Sequence, residues 1–451
     1  MQLTIIGILH SGTNSRGILE AMLRGIEKAG HRVLRFDLPA VVAEFQQQSG
    51  KDDAAASLSD HLLNRFLETA RSNNVNLSIG MWSIGVLGLP RLKNKQGNIR
   101  SLHEVLGLPH LLYWIDSPWL AQGKTIPGDE ALRDLLNSPA HVHLTMSTST
   151  AEELAGLWKW RNVLPIDYAV DEDMFPPAQG NSDEAEYDLV MANAVGNPSP
   201  TELMLRELES DRPDVDAIRR DLAVNLVEPC VRILEKLAAP ADSRKDLVQA
   251  LIDQRLADPH GSTLAFLAQA AKKGSAAEAA DALTLDLISY RNLMRTMRKM
   301  DSWRRAFDVV YFSRHCSTLV IGDNSLDDWP YKEAVAPSVP YEDLAQQYRR
   351  GRVGLNVMRW QDDAGLNIKP LEMACCGLPV LQGKRAGVER VFELDKEVLM
   401  YDLPHEGLAK LQELLTDPER RNALAQAGRA RVLREHTWTA RFSQIVSALG
   451  L

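Results

Sequence analysis

Cysteine is scarce: Cys230, Cys316, Cys375 and Cys376 are the only four in 451 residues, and no CxxC or CxxH pair occurs. A disulfide framework or a zinc site is therefore not expected, and a reducing cytoplasmic compartment is the simplest setting. Nowhere do about 18 apolar residues run together, so no membrane span is expected; peripheral contact at the inner membrane face stays open. A basic excess is also missing. Lys and Arg number 51 against 60 Asp and Glu, a net charge of −9, which makes a poor general nucleic-acid binder. The opening MQLTIIGILH has no basic leader and no small-residue cleavage site, and reads as a strand rather than a signal peptide. What remains is ordinary: 45% apolar and 25% charged residues exclude a disordered, collagen-like or rod-like chain, and the length suits two or three domains.

The first third alternates strand and helix signals. Leu3–Leu9, Arg32–Phe36, Asn76–Ser83, Leu111–Ile115, His141–Ser147 and Val163–Tyr168 are short runs rich in branched and aromatic residues. Helix-spaced sets such as Ile18, Met22 and Ile26, or Leu58, Leu62, Phe66 and Ala70, separate the early ones. Such alternation predicts a parallel sheet with both faces covered. Ligands then bind beyond the carboxyl ends of the strands. That singles out the polar loop His10-Ser11-Gly12-Thr13-Asn14-Ser15, with Gly12 and Thr13 as ligand candidates, and the loop at Asp116-Ser117-Pro118. Residues 171–186, polar and carrying Pro176 and Pro177, read as an interdomain linker, and Asp171-Glu172-Asp173 within it as solvated charge.

The strand count restarts at Tyr187–Ala192. Roughly a hundred residues of helical spacing follow, with Pro229 expected to kink the first long helix. Alternation resumes at Ser317–Ile321. The predicted architecture is α/β: two doubly wound Rossmann-like domains, residues 1–176 and 177–436, with a helical insertion at about 199–308 in the second. A last amphipathic helix, 437–451, is free to pack back on the first. In the second domain Asn193, Gly322 and Asn324, after strands, and Tyr341, at the start of a helix, are further ligand candidates.

The stretch from Asp362 to Val380 carries the most chemistry. Gly365 lets a backbone approach a ligand closely; Leu366 and Ile368 frame Asn367, which is suited to cap the following helix. Pro370 is tolerated in a first turn, whose N–H groups have no helical acceptor. Those N–H groups and Lys369 make an anion site. Glu372, about a turn in, is a poor phosphate ligand but a good acceptor for two ribose hydroxyls. Diphosphate and ribose together describe a nucleotide site. From the residues alone, a plain N-capped helix stopped by Gly377 fits as well.

The run Leu371-Glu372-Met373-Ala374-Cys375-Cys376-Gly377-Leu378-Pro379-Val380 resembles the donor-binding signature of group 1 glycosyltransferases of the GT-B fold. Val339–Leu344 with Tyr348 and Gly354–Val357, the turn Gly322–Trp329, and the closing segment from Asp417 to Arg441 are similar to the same family. Tyr113-Trp114-Ile115-Asp116-Ser117-Pro118 resembles the branch that includes spore-maturation CgeB-like proteins, and Leu164–Phe175 the segment closing the family's first domain. The resemblance implies a nucleotide-diphosphate sugar as donor substrate, no tightly bound cofactor and no required metal. Two features depart from the pattern. A second Glu expected eight residues before Glu372 is Ala364, with Asp363 out of register. The loop Asn193–Pro198 lacks the family's basic pair.

A transfer that inverts the sugar needs a base, which His10 or Asp116 can supply from the first domain across the expected cleft; Asp116 can alternatively orient His10. His141 and His143 share a strand face, but without a third ligand they read as packing rather than metal ligands. Cys375 and Cys376 read as buried helix residues, not nucleophiles. The sequence leaves the acceptor open and admits two alternatives: a nucleotide-sugar epimerase, and a non-catalytic glycosylation subunit. A protein partner or second copy could dock through the helical insertion.

Overall fold

Branched apolar runs form strands where their side chains bury on both faces of a sheet. The computed structural model of the chain, which describes residues 2–48, 54–121, 125–177, 185–196, 198–272, 274–322, 326–331, 334–358 and 363–451, contains two such sheets. The chain divides into two compact units. The first holds residues 1–146, 154–171 and 437–451; the second holds 147–153 and 172–436.

In the first unit the strands are β1 (Thr4–Leu9), β2 (Arg32–Asp37) and β3 (Leu77–Met81), then a small antiparallel hairpin of β4 (Gly88–Lys93) and β5 (Ile99–Ser101), then β6 (His110–Trp114), β7 (His141–Thr145) and β8 (Val163–Pro165). The order in the main sheet is β2-β1-β3-β6-β7-β8, all parallel. Strand order reverses between β1 and β3, and in doubly wound sheets such a switch point opens a crevice at the carboxyl ends. The helix Thr13–Lys28 follows β1, and the helix Trp438–Leu449 packs on it. Gly25 makes that crossing possible: a Cβ there would lie 2.2 Å from Cβ of the buried Trp438.

Asp171 departs from the solvated reading. It is only 1% exposed and is held by Arg24 Nε at 2.6 Å and Lys28 Nζ at 2.9 Å. Burial alone would raise its pKa, but the two cations outweigh it and hold the carboxyl below its usual range. Asp171 thus ties the segment after β8 to the helix after β1. Asp171→Asn is expected to destabilise the first unit by about 1–3 kcal/mol, less than a fully buried pair loses because both cations reach solvent. Urea titration followed by unit-resolved hydrogen exchange measures it. The beginning of the expected linker is also packed: Phe175 is fully buried against the rings of Tyr341 and Tyr348.

The second unit has β9 (Tyr187–Ala192), β10 (Thr318–Ile321), β11 (Ala334–Ala336), β12 (Gly351–Asn356), β13 (Val380–Gly383) and β14 (Leu399–Tyr401). Their order is β11-β10-β9-β12-β13-β14, again all parallel. The switch point lies between β9 and β12. Between β9 and β10 every described element, from Glu202 to Ser313, is a helix. The helix Val215–Leu234 continues through Pro229.

Candidate nucleotide site in the second unit and polar site in the first

The segment after β12 and the ends of β9, β12 and β13 meet at the second switch point. Asn193 follows β9, Asn356 ends β12 and Gln382 lies in β13. Asn356 Oδ1 accepts from Asn193 Nδ2 and from Asn367 Nδ2, each at 3.1 Å, and Asn356 Nδ2 donates to Gln382 Oε1 at 2.7 Å. This amide chain fixes Asn367. The expectation that Asn367 caps the next helix is therefore corrected: Ile368 occupies the cap position with no side-chain cap bond, and Asn367 Oδ1 is buried without a hydrogen-bond partner among the described residues. The network outcompetes the cap because it pairs both ends of the buried Asn356 amide, with Asn193, Asn367 and Gln382.

The helix Lys369–Cys375 has seven residues and carries Pro370 in its first turn. It ends where Gly377 takes φ +78° and the Leu378 N–H bonds back to Met373 O at 3.0 Å, a glycine stop. Leu366 and Ile368 are buried, so the loop before the helix is anchored by apolar side chains on either side of Asn367. Its backbone is also closely covered. A Cβ on Gly387, in the loop after β13, would stand 2.7 Å from Ala364 O and 3.1 Å from Leu366 N. Gly387→Ala must therefore displace the Gly365 loop, and at least a tenfold loss of ligand affinity is expected with the thermal midpoint lowered by only a few degrees; calorimetric titration checks it.

Glu372 is fully buried. Its Oε2 accepts from Tyr348 Oη at 2.6 Å and from Lys369 Nζ at 3.0 Å, whereas Oε1 has no partner among the described residues. Burial, then the Glu372 charge, hold the Tyr348 phenol well above its ordinary pKa, so it stays a donor. Lys369 is turned onto Glu372 and lies 5.9 Å from the centre of the Tyr341 ring. Part of its charge is thus already countered. Tyr341 itself is buried. Gly322 follows β10 and donates its N–H to Ala336 O at 2.9 Å. Asn324 lies outside the described residues.

Asp363 proves to be structural. It is 1% exposed and accepts from Arg298 at 2.7 and 2.9 Å, Arg255 at 3.0 Å, and the N–H and hydroxyl of Thr263 at 2.9 and 2.8 Å. Burial opposes its charge, but Arg298 and Arg255 prevail and keep it ionised. Every one of those partners comes from the helical stretch, which thereby holds the strand-to-helix loop from behind. A carboxylate engaged on both oxygens is not available to a ligand. Cys375 and Cys376 are buried, and burial pushes the Cys376 thiol far up, away from nucleophilic use.

In the first unit, His10 follows β1 and Trp82 follows β3, on the two sides of the other switch point. His10 is 8% exposed; its Nε2 stands 2.6 Å from Ser15 Oγ, and its Nδ1 is buried without a partner among the described residues. Burial, then the Arg16 charge, lower its pKa. Gly12 precedes the helix that Thr13 opens. Asp116 is exposed and makes no hydrogen bond to His10, so an orienting contact between the two is absent and Ser15 stands in that place. His141 and His143 are buried and both face Leu136 O, and among the described residues no group of three His, Cys, Asp or Glu is placed to hold a metal.

Sequence reasoning passed over Tyr348, Asn356, Gln382, Gly387 and Ser15 as site residues. Gln382 carried a readable signal, a lone amide inside an apolar strand. Ser15 lay inside the polar loop already singled out, only five positions from His10, and Tyr348 lay in a stretch that carried the resemblance, whereas Tyr348 and Asn356 meet partners 11 to 163 positions away.

No curated protein matches the sequence. Several solved structures align over nearly the whole chain at low identity. A sucrose-phosphate synthase from Thermosynechococcus elongatus is 12% identical, with 99% of this chain and 98% of that one covered and a TM-score of 0.46. HepE from Anabaena, solved with UDP and glucose, is 10% identical over 100% of both chains, TM-score 0.48. The phage T4 protein BGT, solved with UDP and Mn2+, is 9% identical over 99% of both chains, TM-score 0.45. The stretch that contains Tyr348, Lys369 and Glu372, residues 291–447, matches the family model described as "Glycosyl transferase-like".

Proposed function

We propose that this chain is a glycosyltransferase that takes a nucleotide-diphosphate sugar as donor and passes the sugar to an acceptor hydroxyl without a metal. The observation that carries the reading is Glu372: a fully buried carboxylate with one oxygen satisfied and the other without a partner among the described residues, inside the stretch that matches a glycosyl transferase-like model. A bare buried acceptor is costly unless a ligand donor completes it. Ribose hydroxyls supply such donors. Lys369 and the first-turn N–H groups beside it then face the diphosphate and stabilise charge as the leaving group departs. His10 of the first unit takes the proton of the acceptor hydroxyl. The sequence likeness to the CgeB-like branch at Tyr113–Pro118 supports a place in that branch.

A panel of nucleotide sugars, each incubated with the protein and with cell extract, tests the reading by mass spectrometry. One donor is expected to release its nucleoside diphosphate slowly to water and faster with extract, in the presence of EDTA. Failure of every donor to bind or turn over would overturn it; return of an epimerised donor would show an isomerase.

A further inference from the structure

We propose that Ser15 is a positioning residue that fixes His10 as the tautomer protonated on Nε2, leaving Nδ1 as the basic nitrogen. The inference rests on the reading of His10 as base. Ser15 Oγ has two neighbours, Gly12 O at 3.3 Å and His10 Nε2 at 2.6 Å. The carbonyl can only accept, and with the Ser15 hydroxyl donating to Gly12 O the Oγ lone pair faces Nε2. In that arrangement Nε2 carries the imidazole proton. Nδ1 of the neutral ring is then a lone pair, and it is the ring nitrogen without a hydrogen-bond partner among the described residues.

The surroundings hold this arrangement. A Cβ on Gly12 would stand 2.7 Å from Ser15 Oγ and 3.1 Å from His10 Nε2, so glycine is required for the pair to form. Trp82 packs edge-on to the imidazole at 5.5 Å. Its backbone has φ +54°, a left-handed conformation that is a strain for a bulky residue and clusters at functional sites. The charged groups nearby are Arg16, whose guanidinium reaches His10 O at 3.4 Å, and Asp37, which pairs with Arg16 at 2.6 Å. Asp116 makes no bond to the ring.

Long-range proton–nitrogen spectra of protein labelled with 15N-histidine read the tautomer directly, with His10→Gln identifying the His10 signals. The wild-type protein at pH 8 is expected to show a single Nε2-protonated form. Ser15→Ala is expected to give a mixture of tautomers, to lower kcat about tenfold and to shift the acidic limb of its pH profile, with donor affinity unchanged; Ser15→Thr restores all three. A wild-type His10 protonated on Nδ1, or a Ser15→Ala protein with an unaltered tautomer, overturns the inference while leaving His10 free to be the base. Full transfer activity in His10→Ala overturns the base reading and with it the catalytic purpose of the pair.

Discussion

Glu372→Gln is expected to weaken nucleotide-sugar binding by about 10–100-fold, since hydrogen bonds to a charged acceptor contribute roughly 1.5–3 kcal/mol. The amide keeps the shape, so packing around the fully buried side chain is retained. It changes two things. Tyr348 and Lys369 lose their shared anionic acceptor, and the bare Oε1 position becomes either a weaker acceptor or a donor facing the ribose hydroxyls. Glu372→Ala is expected to weaken binding as well, but it also strands the buried Tyr348 hydroxyl and opens a cavity, so its loss mixes folding with recognition. Calorimetric titration with the donor, paired with thermal midpoints, separates these. An unchanged dissociation constant for Glu372→Gln would remove the ribose role.

The second large effect is acid unfolding of the first unit. His103, His110 and His141 form a cluster of rings with centroids 4.1–5.8 Å apart, and His143 lies on the same strand as His141. All four are buried. Burial pushes His103 and His143 down to about 3 and His141 to about 4, and His110 well below its usual value, with mutual repulsion adding to the effect in His103, His110 and His143. In the unfolded chain each returns to ~6.5. Below that pH the unfolded state binds more protons than the folded one, so stability falls as pH falls. The loss begins near pH 6.5 and continues to the folded values of 3–4. It amounts to about 1.4 kcal/mol per pH unit for each histidine. Several such groups together exhaust a domain stability of ~5–15 kcal/mol within two or three pH units.

His103 supplies the control. Neither of its ring nitrogens has a hydrogen-bond partner among the described residues, and it stacks on His110 and meets Phe66 edge-on. His103→Phe keeps a ring and removes a stranded polar group, so it is expected to be neutral or stabilising at pH 7 and to flatten the pH dependence by about one proton. His143, by contrast, accepts from Trp114 Nε1 at 3.1 Å and donates to Leu136 O at 2.9 Å, so His143→Phe is expected to cost stability at every pH. Urea titrations from pH 7.5 to 5, with exchange resolved by peptide, give the slopes. A flat dependence in the first unit would refute the account.

The alternation of strand and helix, both sheets and the glycine-stopped helix after Lys369 follow from local features: hydrophobic period, turn residues and the missing N–H of Pro370. Such features act within a few residues, and sequence displays them directly. The short strands β4, β5, β11 and β14 were not visible, because β4 and β5 are of mixed polarity and β11 and β14 are only three residues long, too short to show a period, so that each becomes a strand only when a neighbour pairs with it. The site itself was half visible. Glu372 and Lys369 sit a helical turn apart and announce each other, and Tyr348 is 24 positions away from Glu372. Asp363 looked like a spare carboxylate; its partners Arg298 and Arg255 lie 65 and 108 positions earlier. Asp171 looked solvated until Arg24 and Lys28, more than 140 positions before it, closed around it. Charge and hydrogen-bonding capacity are written in the chain, whereas the choice of partner among many equal candidates is made only when packing brings one of them within 3 Å and removes the water that would otherwise serve.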